Sequence, residues 1–167
     1  MNQKQFTQAA DVLTAALARA VDEALVDDLT LSLAHVKFLA GAHSEALQLF
    51  QQAAKGLARR LGADDVEVRR CLYYAAECRM ELGETTAAVA AFGDYVQHAP
   101  DEDDEDAVDR HLEALAQIMR LEAGAERFAQ ARASAITLRS ATRRYRGLHA
   151  PELADIDGFI ERLRRFE

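Results

Sequence analysis

Seven of the nine residues from Asp101 to Asp109 are carboxylates, and a histidine closes each end of the surrounding stretch, HAPDEDDEDAVDRH (residues 98–111). Oxygen donors at that density suit a hard divalent cation. The spacing does not. Counted from Asp101, a calcium loop needs glycine at its sixth position and glutamate at its twelfth, where this chain has Asp106 and Leu112. Neighbouring carboxylates also repel one another. The stretch reads as a solvated linker whose Asp104, Glu105 and Asp106 favour the N-terminus of the next helix. No metal and no cofactor is expected.

The other reactive residue types fare no better as catalysts. His35, His43, His98, His111 and His149 make no His-Glu-x-x-His pair, and no glutamate has a histidine three residues on, so the zinc-protease and di-iron helix patterns are missing. Serine and threonine sit mostly at helix entries and surfaces, without a Gly-x-Ser-x-Gly turn. Cys71 and Cys78, seven residues apart on one expected helix, are separated by roughly 10 Å, too far for a disulfide. Both read as reduced, packed thiols of a cytoplasmic protein. No catalytic residue is assigned.

A basic counterpart lies near the end of the chain. Arg139, Arg143 and Arg146 fall at i, i+4 and i+7 on one helical face, with Arg132 one heptad earlier. Such a stripe suits a phosphorylated or acidic segment, since guanidinium groups bind phosphate in fork geometry. The plainer expectation is a solvated face answered by acidic neighbours such as Glu152 and Asp155.

These groups need a scaffold, and the composition supplies one. The chain has 167 residues, 50% hydrophobic, with two prolines and a net charge of −8. Residues 1–110 hold 10 basic and 20 acidic side chains, and residues 111–167 hold 10 and 8. An acidic body with a basic end argues against nucleic acid as a partner, because phosphate neutralisation needs a sustained basic surface. The longest wholly apolar run is AAVAAF (87–92), so neither a membrane span nor a secretory leader is expected.

Apolar residues recur at three and four spacing throughout, which predicts an all-α chain of eight helices. They are placed at 3–20, 28–40, 44–61, 66–82, 86–98, 105–123, 126–146 and 151–165. Asp27, Ser44, Asp65, Thr85 and His149 or Ala150 stand at or near entries, and Pro151 suits a first helical position. Gly41, Gly62, Gly83 and Gly147 stand at exits, where a left-handed residue is needed.

The chain also repeats itself. LAGAHSEALQLFQQAA (39–54) aligns without gaps on ELGETTAAVAAFGDYV (81–96), pairing Gly41 with Gly83, Ala46 with Ala88 and Phe50 with Phe92, a period of 42 residues. The glycine turns the chain between antiparallel helices, the alanine lets them approach, and the aromatic fills the space between neighbouring pairs. GADDVEV (62–68) and GLHAPEL (147–153) match in a second register, and HAPDEDDED falls between them as the corresponding linker. A third unit, EAGAERFAQARASA (122–135), keeps Phe128 and Ala131 with a turn about two residues longer, so its register is open. The opening KQFTQAADVLTAA carries a second-helix pattern in Phe6, Ala9, Leu13 and Ala16 without a first helix before it. It is read as part of a longer protein, since Phe6, Val12 and Leu13 lack an upstream partner; the alternative is a cap.

The expected layout is one helical-repeat domain over 1–167: a half repeat or cap at 1–25, repeats at 27–64, 65–104 and 105–148, and a terminal helix at 149–167. The glycine, alanine five later and aromatic nine later resemble the tetratricopeptide repeat, and the 42-residue period is similar to its kinesin-light-chain variety. ARRLGADDVEVRRCLYYAAECRMELGETTAAVAAF (58–92) and RRYRGLHAPELADIDGFIERL (143–163) look most like repeat regions C-terminal to the kinase domain of actinobacterial serine/threonine protein kinases. The resemblance implies a right-handed α-α superhelix with a concave groove. Any kinase domain would lie outside this chain, which has no Gly-rich phosphate loop, HRD-like or DFG-like motif. The tryptophan frequent in the short repeat type is absent.

In such superhelices the first helix of each pair lines the groove. That places Leu31, His35, Phe38 and Leu39, then Arg70, Tyr73, Glu77, Met80 and Glu81, near the surface, with Phe38 and Tyr73 as anchors. The Lys/Asn clamp by which some family members hold C-terminal carboxylates is replaced by Leu31, His35, Tyr73 and Glu77. The expected function is a non-catalytic module binding a protein or peptide segment, including its own parent kinase. The runner-up is a ligand- or peptide-sensing regulatory solenoid.

Overall fold

A computed structural model describes residues 3–166. Eight helices follow in order, with no strand among the described residues: α1 (Gln3–Leu17), α2 (Glu23–Leu39), α3 (His43–Leu61), α4 (Val66–Glu81), α5 (Thr85–Val96), α6 (Glu105–Gly124), α7 (Phe128–Arg146) and α8 (Glu152–Leu163). A 3-10 turn, Arg164–Phe166, ends the described chain. The helices group into two compact units that divide between Glu84 and Thr85, inside the span 65–104 read from the sequence as one repeat.

Local chemistry sets most boundaries. Asp65 and Asp104 cap α4 and α6, their carboxylates accepting from Glu67 N and Ala107 N at 2.9 and 3.1 Å. One expected entry is corrected. Asp22 rather than Asp27 caps α2, accepting from Ala24 N at 2.8 Å, so the helix starts at Glu23 instead of residue 28. Ala42 precedes α3, and Ser44 is its second residue. Asp27 is instead an interior residue of α2 that lies against Gly56 of α3: a Cβ at Gly56 would fall 1.8 Å from its Oδ1. Glycine there allows the two helices of the pair to meet.

The third repeat gains its register. Gly41 and Gly83 take positive φ, and the same pair of hydrogen bonds closes each turn: Gly41 N to Phe38 O with Ala42 N to Lys37 O, and Gly83 N to Met80 O with Glu84 N to Arg79 O. In the third turn the pattern recurs as Glu126 N to Ala123 O with Arg127 N to Glu122 O. Glu126, at φ 58°, therefore stands where the glycines stand, and Gly124 closes the preceding helix. Counting from it, Ala131 matches Ala46 and Ala88, all wholly buried. The place of Phe50 and Phe92 falls to Ala135 rather than Phe128, and Ala135 packs with Met119, Leu138, Ile156 and Ile160. Aliphatic side chains of α6 and α8 replace the aromatic.

The first unit centres on Leu31, Ala34, Phe50, Leu57, Val68 and Cys71, and the second includes Leu115, Met119, Leu138, Ile156 and Ile160. On α1, Phe6 and Leu13 are half-buried and Val12 is exposed.

Candidate functional site

The expected groove residues of the first unit divide between core and surface. Leu31 and Tyr73 are buried, Arg70, Glu77 and Met80 are half-buried, and Leu39 and Glu81 are exposed. His35 is held on α2 by a 3.0 Å bond between Nδ1 and the Leu31 carbonyl; since a carbonyl only accepts, Nδ1 is the donor. Burial lowers the imidazole pKa, assisted by Arg70, while the Leu31 carbonyl and Glu67 oppose the shift. Its ring meets Phe50 and Tyr74 edge-on at 5.0 and 4.9 Å, and Phe38 meets Tyr74 at 5.4 Å. Tyr74 also stacks on Phe50. Phe38 thus meets His43 and Phe50 as well as Tyr74, one residue beyond the Tyr73 named from spacing. Only the rotation of α4 about its axis, which a repeat pattern leaves open by one residue, distinguishes them.

The acidic linker and the basic stripe meet in the second unit. Arg144 places Nε and Nη2 at 3.1 and 2.8 Å from Glu102 Oε1. Arg146 reaches Glu105 at 3.2 Å and also pairs with Asp109. Within the linker, Asp101 accepts from Asp103 N at 3.1 Å and Asp104 caps α6. Its acidity therefore serves a turn, a cap and a clasp on the end of α7. Of the stripe, Arg139 pairs with Asp157 at 3.0 Å, Arg132 is half-buried, and Arg143 is exposed. Arg144, which lies off the stripe, makes the contact to Glu102 in the linker, whereas Arg146 pairs with Glu105 and Asp109 of α6. Arg139 and Arg146 thus pair with Asp157, Glu105 and Asp109 where Glu152 and Asp155 were the expected acidic neighbours. Among the described residues no three metal-ligating side chains come together. Cys71 and Cys78 are free, buried thiols whose pKa is pushed up to about 12, chiefly by burial.

The second unit also holds a cleft of about 820 Å³ that the sequence reading missed. Its floor is apolar, formed by Leu112, Ala116 and Met119 of α6, Leu138 of α7, and Ile156 and Phe159 of α8. Charged side chains rim it: Asp109, Glu113 and Arg120 on α6, Arg146 on α7, and Glu152, Asp155 and Arg162 on α8. Glu113 accepts from Gln117 and Arg120 at 3.0 and 2.9 Å, and the Arg162 guanidinium lies 5.7 Å from the Phe159 ring centre. An apolar floor with a few placed charges can bury a side chain and orient what carries it. No group in it is arranged as a nucleophile beside a base. The signal was present in the apolar face of α6 and α8, but nothing in it said that α7 would leave room between them.

No helix among the described residues is long and apolar enough to cross a membrane. No family model and no curated protein matches the chain. Among solved structures, 96% of this chain superposes on the crystal structure of BtubC (BKLC) from P. vanneervenii with a TM-score of 0.70 and 15% sequence identity. This chain covers 66% of the length of that one. At that identity the likeness concerns the backbone alone, and with the αL turns and buried alanines of the three units it identifies a tetratricopeptide-like helical-repeat fold.

Proposed function

We propose that this chain is a non-catalytic protein–protein interaction module whose cleft over α6, α7 and α8 takes a segment of a partner protein. The observation that carries the reading is the cleft itself, an apolar floor of Leu112, Ala116, Met119, Ile156 and Phe159 inside a charged rim. Such a surface gives affinity through the floor and selectivity through the rim. In the first unit, His35, Phe38, Arg70, Glu77, Met80 and Glu81 are the side chains that this reading assigns to ligand contact, whereas Leu31 and Tyr73 belong to packing. Of the arginine stripe, Arg146 lines the cleft.

The finer form of the proposal is a substrate-recruiting or regulatory repeat region of a bacterial serine/threonine protein kinase, working in the cytoplasm. Its support is the resemblance of residues 58–92 and 143–163. In that case the partner is a kinase substrate or the kinase domain itself.

Capture of partners from native lysate by the wild-type chain and by Phe159→Arg tests the interaction reading. Phe159 is half-buried at the cleft and packs against the core of this unit, so the charge blocks the floor, and circular dichroism with Tm checks that the variant keeps its fold. Loss of partners is the expected result, and identical partner lists overturn it. The volume favours one second reading, a regulator that senses a small ligand, because about 820 Å³ lies within the range of small-molecule sites. A thermal-shift screen of metabolites separates the two: a small molecule that raises Tm supports the sensor, and a flat screen counts against it.

A further inference from the structure

The cleft is electrically polarised along its length, and the direction of the polarity follows from two contacts. Arg146, the last residue of α7, pairs with Asp109 near the start of α6, so these helices are antiparallel. Phe128, the first residue of α7, stacks at 4.4 Å on Phe166 beyond the end of α8, so α8 also runs against α7. α6 and α8 are therefore parallel, and their starts lie at the same end of the cleft.

That end carries Glu152 and Asp155 in the first turn of α8, both exposed. Arg146 lies there too, but Glu105 and Asp109 already answer its charge. Two full carboxylates outweigh the roughly half positive charge of a helix N-terminus. The opposite end carries Arg162 in the last turn of α8 and Arg120 on α6, both exposed. Arg120 shares Glu113, which leaves Arg162 as the principal cation of that end. Between the two ends lies the uncharged floor.

Resting on the interaction reading above, we infer that the cleft binds a protein segment of two-ended charge. The segment has an apolar centre, basic residues directed to the start of α8 and acidic residues directed to its end. Charge complementarity fixes its direction. Ten residues of helix separate Glu152 from Arg162, about 15 Å. A ligand matching both ends therefore spaces its opposite charges by about five residues if extended, or about ten if helical.

A random peptide library displayed on phage and selected against the full chain tests this inference. Selection against the charge-reversed variant Glu152→Lys, Asp155→Lys, Arg162→Glu runs in parallel. All three positions are exposed, and circular dichroism checks that the fold is kept. The expected outcome is an enriched apolar core with basic and acidic residues on opposite sides, in the reverse order on the charge-reversed chain. Each selected peptide should also bind its own chain at least tenfold more tightly than the other.

Peptides that Phe159→Arg excludes, but that carry one sign of charge or bind both charge variants equally, overturn the polarity and leave the cleft as an interaction site. Peptides that bind Phe159→Arg and Leu112→Arg as tightly as wild type, or no enrichment at all, overturn the cleft reading and the polarity together.

Discussion

Arg144 and Glu102, 42 residues apart, meet through two guanidinium nitrogens on one carboxylate oxygen, at 3.1 and 2.8 Å. Beside them Arg146 takes Glu105 and Asp109, so the end of α7 is tied to the linker before α6 and to the first turns of that helix. Both arginines are exposed, so the contacts are screened by salt and act weakly. We expect Arg144→Glu to lower Tm slightly in low salt, and Glu102→Arg with Arg144→Glu to restore it. At about 1 M NaCl, where the Debye length is about 3 Å, the difference should vanish. A fall that persists at high salt would show that packing, not charge, is lost.

A Cβ at Gly56 would overlap the Asp27 carboxylate, which must move away to admit a side chain. Gly56→Ala should therefore lower stability by about 1–3 kcal/mol despite alanine's better helix propensity, read as a reduced urea midpoint. Asp27→Ala in the same chain should recover part of the loss. A single variant as stable as wild type would place Asp27 elsewhere.

Glu126 holds a positive φ without being glycine. Because that conformation costs an L-residue about 1 kcal/mol, Glu126→Gly should raise stability by about that amount. Gly83→Ala should lower it, as Gly83 has φ 74°. If both changes shift chemical-denaturation midpoints in the same direction, the register assigned to the third repeat is wrong.

Burial raises the pKa values of Cys71 and Cys78 from 9.0 to about 12. The folded chain then holds two protons that the unfolded chain releases above about pH 9. Stability from this source is complete below pH 9 and falls as pH rises from 9 towards 12. Tm should drop between pH 8 and 10.5, with part of the drop absent in the Cys71→Ala, Cys78→Ala variant. Equal slopes in the two proteins would remove the thiols as its cause.

Much of the fold was legible because it depends on short-range rules. Three-and-four periodicity, aspartates at Asp65 and Asp104, and glycines at Gly41 and Gly83 each act within one turn of chain, and each sits where its local chemistry directs. The reading failed where a local signal had a distant use. Asp27 resembles a cap but serves the approach of α3, and Phe128 resembles the repeat aromatic while Ala135 occupies its place. The site was less legible. Spacing pointed to Tyr73 beside His35 and Phe38, whereas Tyr74 is the tyrosine whose ring meets both, because one residue is 100° of helix rotation.

The sequence by itself determined that this chain is helical, that its units repeat, and that no catalytic constellation is spelled out in it, since periodicity, caps and motif spacing are all properties of near neighbours. Only the tertiary structure decided that HAPDEDDEDAVDRH clasps the end of α7 through Arg144 and Arg146. It alone showed that α6, α7 and α8 line a cleft with an apolar floor and a charged rim. Both depend on how helices separated by tens of residues lie against one another, and that is set by packing, which no local pattern encodes.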